Sequence, residues 1–435
     1  MKVKQINRAL SLGEIREPGI FPHLEGLKEV PFIFRVAFGL DELPKQEGVI
    51  LIRGARQYGK STWLEGQIQQ TIERFGPGTA YYLNGDELPD DRALGEAIRE
   101  LLPLFGPRAK VRRLFIDEIT AIDRWEKALK ILLDAGELRG VLVVTTGSRA
   151  ADLRRGSERL PGRKGKLKRT AYLFTPLSFR EFSRVAKASL GKNVLPAYIL
   201  SGGSPVACGE LAARGRIPEY VIEMTRDWLC GEFARTGRGR APLTAVCQCI
   251  HRFAATPVGQ AKLAREAGLA NNTAASQYIE LLMDLLCVAS AWPWDEARRR
   301  ANRRRPCKFH FINLLAAVAW GPERIRSIRD YQNLPTQEQG KMIEWLIAQE
   351  LWRRAAIRGE DCPEEMLFWQ SKANEINFVL TDETFLEVKS GRCSPMDFTW
   401  FQKSFSKGKL NVINPRRFST QRVTGITLKD FLLDE

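Results

Sequence analysis

The sequence predicts an α/β protein of several domains, the first of them a doubly wound parallel sheet. Three observations carry that prediction. The apolar run Val49-Ile50-Leu51-Ile52 leads into Gly54-Ala55-Arg56-Gln57-Tyr58-Gly59-Lys60-Ser61. A second run, Leu114-Phe115-Ile116, ends in Asp117-Glu118. Between and after these runs lie helix-compatible stretches at 62–76, 89–103 and 123–136. Parallel strands need crossover connections, and helices supply them.

Composition bounds the rest. The chain has 435 residues, 44% of them hydrophobic and 9% aromatic, which is ample for two to four cores and excludes a disordered or collagen-like chain. No apolar run approaches the roughly 20 residues that cross a bilayer, and the opening Met1-Lys2-Val3-Lys4 lacks a signal-peptide core. A soluble, cytoplasmic protein without a membrane partner is expected. The eight cysteines are scattered and form no C-x-x-C pair, so they read as reduced structural thiols. Lys and Arg exceed Asp and Glu by 67 to 51, a formal charge of +16 that favours nucleic acid or another acidic partner.

Residues 54–61 fit G-x-x-x-x-G-K-S in full, with Thr62 next and a β-rich run before them. Glycines let this backbone wrap phosphates, and its amides together with the positive end of the following helix meet the polyphosphate. Lys60 then contacts the terminal phosphates and the Ser61 hydroxyl ligates Mg²⁺. The expected nucleotide contacts are Gly54, Ala55, Arg56, Gln57, Tyr58, Gly59, Lys60, Ser61 and Thr62. At the tip of the 114–118 run, Asp117 is expected in the Mg²⁺ shell and Glu118 as the residue that orients or activates water.

The buried run Val141-Leu142-Val143-Val144 ends in Thr145-Thr146-Gly147-Ser148-Arg149, where a γ-phosphate sensor would sit. Thr146 or Ser148 could hold the water, and Arg149 could reach phosphate in cis or from a neighbouring subunit of a homo-oligomer. These hydroxyls are equally good turn formers. The first unit is thus expected to be a P-loop NTPase domain with ATP and Mg²⁺ as ligands and Lys60, Asp117, Glu118 and Arg149 as catalytic residues.

The series continues as Leu160-Pro161-Gly162-Arg163, Pro176-Leu177-Ser178-Phe179-Arg180-Glu181-Phe182 and Gly202-Gly203-Ser204-Pro205. In order and spacing these segments resemble AAA-type ATPases of bacteria and archaea that carry a C-terminal region with restriction-endonuclease-like features. The resemblance implies an AAA-like first domain and little about biology. Read from the residues alone, Phe179, Phe182 and Val185 space as one buried helix face, and Arg163 is either a phosphate sensor or one member of a basic loop.

Farther on, 260–279 has helix-turn-helix form. Gly268 ends one helix, Asn272 or Thr273 caps the next, and Ala275, Ile279, Leu282 and Leu286 form its buried stripe. Asn272, Thr273 and Gln277 then face outward on the leading turn, where recognition helices meet base edges. Two β-like runs, 287–292 and 308–312, flank six arginines within 298–305, a basic wing whose Arg303, Arg304 and Arg305 would track phosphates. Such a wing serves equally as a scaffold.

In the last segment, 375–380 and 384–389 are expected to pair as a hairpin, with Glu387 and Lys389 on one face. The resemblance implies a restriction-endonuclease-like α/β unit in which an acid on the first strand and Glu-x-Lys on the second hold a divalent metal. Asn377 stands where similar proteins carry Asp, and Glu344 on the preceding helix is a further candidate. Losing one carboxylate lowers metal affinity, so a catalytically degenerate site is expected ahead of an active Mg²⁺-dependent nuclease or an ordinary charged hairpin.

The expected organisation is an N-terminal segment (1–30), the AAA-like domain (31–190), a helical linker (191–240), a winged-helix-like domain (241–325) and the nuclease-like unit (335–435). The function expected is an ATP-binding, ATP-hydrolysing protein that engages nucleic acid, DNA foremost. The alternatives are an ATP-switched scaffold and an ATP-regulated nuclease.

Overall fold

The Val- and Ile-rich segment Gly48–Gly54 forms β1, and β2 (Ala80–Asn84), β3 (Arg113–Asp117), β4 (Leu142–Gly147) and β5 (Ala171–Phe174) join it in one sheet of order β2-β3-β4-β1-β5. Every pairing is parallel. The computed structural model describes residues 2–147 and 166–434. It divides the chain into two units, Met1–Thr175 with Ala356–Gly359, and Pro176–Ala355 with Glu360–Glu435.

In the first unit the connecting helices are Lys60–Phe75, Asp91–Leu101 and Trp125–Asp134, close to the three expected stretches. Local chemistry sets their ends. The Asp90 side chain accepts from the amides of Arg92 and Ala93, which starts the second helix, and Pro103 follows its end. That helix and Trp125–Asp134 pack on the face made by Val49, Leu51, Leu83, Leu114, Ile116 and Val143. The buried Leu64, Ile68 and Ile72 of helix Lys60–Phe75 lie outside this cluster, and their helix packs on β2, β3 and β4. The sheet is therefore covered on both faces, which is why its strands read as continuous apolar runs.

The second unit has two mixed sheets. In one, β6 (Val288–Asp295) pairs antiparallel with β7 (Arg300–Ala301) and β8 (Lys308–Phe311) and parallel with β9 (Glu365–Gln370), which carries β10 (Glu375–Ile376). The other runs β11-β12-β13-β15-β14, formed by Phe378–Thr381, Thr384–Val388, Lys409–Ile413, Val423–Ile426 and Phe418–Ser419. The run 375–380, expected as one strand, is divided: its first two residues pair with β9, its later ones with β12, and Asn377 stands between. The β6–β9 pairing also puts strands from either side of the expected 325/335 boundary into one sheet. A strand's outer-edge hydrogen bonds must find a partner, and local sequence does not say which.

The helix-turn-helix segment consists of Gln260–Glu266, Gly268 at φ 65° and Asn272–Asp284. Its cap is Asn271 rather than Asn272 or Thr273, because the Asn271 side-chain Oδ1 accepts from the Ala274 amide at 2.9 Å while its backbone is extended. Ala275, Ile279 and Leu282 are buried as expected, and Leu286 is buried beyond the helix end. Phe179 and Phe182 pack on Tyr198.

Candidate nucleotide site and basic surfaces

The carboxyl end of β1 turns at Gly54 and re-enters helix at Lys60. Gly54 is required by close packing: a Cβ there would lie 2.6 Å from the Cβ of Phe174 on the neighbouring β5. Gly59 sits at φ 95°, a conformation that L side chains disfavour, and no side chain caps the helix it precedes. The first amides of that 16-residue helix are thus left for a ligand, and anions are favoured there. Lys60 is 4% exposed and its Nζ donates to the carbonyls of Gly54 (3.0 Å) and Ala55 (2.9 Å). Burial holds its ammonium below the usual lysine range, against the pull of Glu118 and Asp117.

Asp117 ends β3, two strands from β1, so about 10 Å separates the strand tips. It is 6% exposed, and its Oδ1 accepts from the Thr146 hydroxyl and from the Glu118 amide at 3.1 Å. Thr146, opposite Ile52 of β1 in the sheet register, therefore orients the carboxylate. Among the described residues both of these bonds fall on Oδ1, which leaves Oδ2 for a cation, the arrangement a Mg²⁺ ligand needs. Glu118 adopts φ 46°, a strained value for a non-glycine residue.

Two supporting contacts were invisible in the sequence. At Gly85, just past β2, a Cβ would stand 2.2 Å from the Glu118 carbonyl oxygen, so only glycine lets the two backbones meet. Its place immediately after a strand was the only available signal. In addition, Glu65 of the phosphate-loop helix binds His23 Nδ1 at 2.6 Å and accepts the His23 and Leu24 amides at 3.0 Å each. This pairing raises the His23 pKa. Arg149, Ser148 and Arg163 lie outside the described residues.

In the second unit Asn272, Thr273 and Gln277 are exposed, and Gln277 Oε1 accepts from Arg238 at 3.0 Å. The expected arginine row is partly neutralised: Arg303 pairs with Glu365, and Arg299 pairs with Asp382 at 3.3 Å. Arg304 and Arg305 are exposed and, among the described residues, pair with no acid.

Glu344, Asn377, Glu387 and Lys389 converge. The Asn377 amide donates to Glu387 Oε2 at 3.0 Å, its side-chain carbonyl accepts from the Val388 amide at 2.8 Å, and Lys389 Nζ lies 2.6 Å from Glu387 Oε1. Burial pushes Glu387 up to about 7 and raises Glu344, which an Asn377 hydrogen bond opposes. Lys308 of β8, which nothing in the sequence marked, is fully buried and paired with Glu375. Burial, with Lys308 beside it, takes His310 down to about 3. Among the described residues no group of three or more His, Cys, Asp or Glu is arranged to hold a metal.

A glycine-rich loop between a buried parallel strand and a helix, with an acid on a nearby strand tip, defines the P-loop class of nucleotide-binding domains. Residues 46–183 match the family described as an AAA domain, and the chain therefore carries an AAA-type P-loop ATPase domain. Among solved structures, a Walker-type ATPase of Pyrococcus abyssi aligns at 14% identity and TM-score 0.43, covering 70% of this chain and 95% of that one. The Orc1 protein of Aeropyrum pernix, solved in complex with DNA, aligns at 16% and 0.33, covering 72% and 96%. Cdc6p of Pyrobaculum aerophilum aligns at 14% and 0.28, covering 70% and 96%. No curated protein matches the present chain. Among the described residues, no helix is long and apolar enough to cross a membrane.

Proposed function

We propose that the protein hydrolyses ATP in its first unit and engages nucleic acid through the second. The observation that carries the first half is the convergence of the Lys60 loop with the Thr146-oriented Asp117 and the adjoining Glu118 at the carboxyl ends of the inner strands of a parallel sheet. The loop amides and Lys60 bind and orient the triphosphate, and Glu118 orients the attacking water and takes up its proton. Ser61 and Asp117 would hold Mg²⁺, which when bound neutralises phosphate charge. Support for the second half is the exposed, unpaired Arg304 and Arg305 beside a helix-turn-helix segment, on a chain of net charge +16.

ATP turnover measured with and without duplex DNA at two salt concentrations tests the reading; a scaffold would show no effect of DNA on turnover and no salt-dependent binding. Replacing Arg304 and Arg305 by Gln is expected to weaken DNA binding and to lower the slope of log K against log salt by about 0.9 per arginine. Arg303→Gln is expected to change the slope less, because that guanidinium is already paired with Glu365. An unchanged slope in the double variant removes the wing from the interface.

We further infer that the Glu344, Asn377, Glu387 and Lys389 pocket is a degenerate nuclease centre. Asn377 supplies no charge, and the buried ammonium of Lys308 offsets acid charge that a divalent ion would otherwise balance. Plasmid DNA incubated with Mg²⁺ or Mn²⁺ should remain intact. Metal-dependent cleavage that disappears in Lys389→Ala would establish an active nuclease instead.

A further inference from the structure

A cleft of about 360 Å³, open to solvent, lies in the second unit between helix Glu219–Arg235, helix Arg240–Arg252 and the loop after helix Leu314–Trp320. It gathers three guanidinium groups from three places in the chain: Arg226, Arg240 and Arg324. Several helical arginines of this unit are instead matched by an acid. Arg214 pairs with Glu210, Arg235 with Glu232 and Arg252 with Glu266. Among the described residues, none of the three cleft arginines has an acidic partner. Three uncompensated like charges repel one another, and a concave wall concentrates their field.

The cleft is also built rather than accidental. Arg226 is half-buried and its Nε donates to the Ala319 carbonyl at 2.6 Å, which fixes the guanidinium while leaving its other N–H groups for a ligand. Arg240, Thr244 and Gln248 repeat every four residues and so form one stripe along their helix. The Thr244 hydroxyl is committed to the Arg240 carbonyl at 3.0 Å, so Gln248 is the neutral donor available there. Arg324 is held at φ 49°, a costly conformation for a side-chain-bearing residue. Glu323 Oε2 lies 3.5 Å from where a Cβ of Gly321, itself part of the lining, would stand, so this carboxylate borders the cleft without, among the described residues, pairing with any of the three arginines.

We propose that this cleft binds a phosphate group. Guanidinium forks match tetrahedral phosphate oxygens, and three of them suit a dianion or polyanion better than a single carboxylate, which one fork satisfies. The phosphate is carried either by a small molecule or by a nucleic-acid backbone, and both sources require the same three arginines. None of the three arginines belongs to the phosphate loop or to the wing.

The test uses the whole 435-residue chain saturated with ADP, so that the nucleotide pocket is filled. Inorganic pyrophosphate and a short DNA duplex are titrated calorimetrically into the wild type and into Arg240→Gln/Arg324→Gln. Both replaced residues are exposed, and the pinned Arg226 is left in place, so folding is preserved. At least a tenfold loss of pyrophosphate affinity in the variant identifies a small-molecule site. At least a tenfold loss of DNA affinity, with Arg304 and Arg305 intact, identifies a backbone contact. The proposal is overturned if neither probe binds the wild type, or if the variant binds both within twofold of it.

Discussion

Lys60→Ala will lower ATP turnover by roughly 10²–10³-fold, the scale on which single preorganised charge contacts act. The substitution removes the one buried cation of the loop, which already sits against the Gly54 and Ala55 carbonyls with its solvation stripped away. A lysine in that position repays its desolvation only when phosphate charge arrives, so ATP binding should weaken together with turnover. Glu118→Gln separates the two effects. Its amide keeps the shape and loses the proton acceptor, and turnover should fall roughly 10²–10⁴-fold while ATP affinity holds. Steady-state phosphate release together with equilibrium binding of a fluorescent ATP analogue measures both. Turnover in Lys60→Ala equal to wild type would remove the catalytic assignment.

Gly85→Ala is expected to damage the same reaction from a residue that touches no phosphate. Its methyl group would stand 2.2 Å from the Glu118 carbonyl oxygen and 3.1 Å from that of Asp117, both backbone atoms that cannot swing away as a flexible side chain would. Relief requires the β2 and β3 tips to separate, which turns Glu118 out of its left-handed conformation and disturbs the Glu118 amide's bond to Asp117. The cost is roughly 1–3 kcal/mol of stability, as for other overpacked sites, and turnover should fall at least tenfold in the protein that remains folded. Thermal melting and single-turnover hydrolysis report the two separately. A variant with normal turnover would show that the Glu118 backbone is not held through Gly85.

How much was legible in the chain follows from how local each determinant is. The phosphate loop could be read directly because its function needs eight consecutive residues whose backbone does the binding. Asp117 and Glu118 were legible because the apolar run before them can only be a buried strand, and the strand's end fixes where they lie. That Glu387 and Lys389 lie together follows from residues two apart sharing a strand face, whereas Asn377 was joined to them only through the family resemblance. The break of the 375–380 run was not foreseen, because the same residues have equal local preference for β9 or β12.

By itself, then, the amino-acid order determined the nucleotide loop, its neighbouring acids and the alternation that winds the first sheet, because each depends on residues near in sequence. Tertiary structure alone decided that Thr146 orients Asp117, that Gly85 supports Glu118, that Glu365 neutralises Arg303, that Lys308 enters an acidic pocket, and that Arg226, Arg240 and Arg324 share a cleft. Each of these joins side chains or backbones from separate elements. Charge compensation and close approach are set by distance in space, which local propensity does not encode.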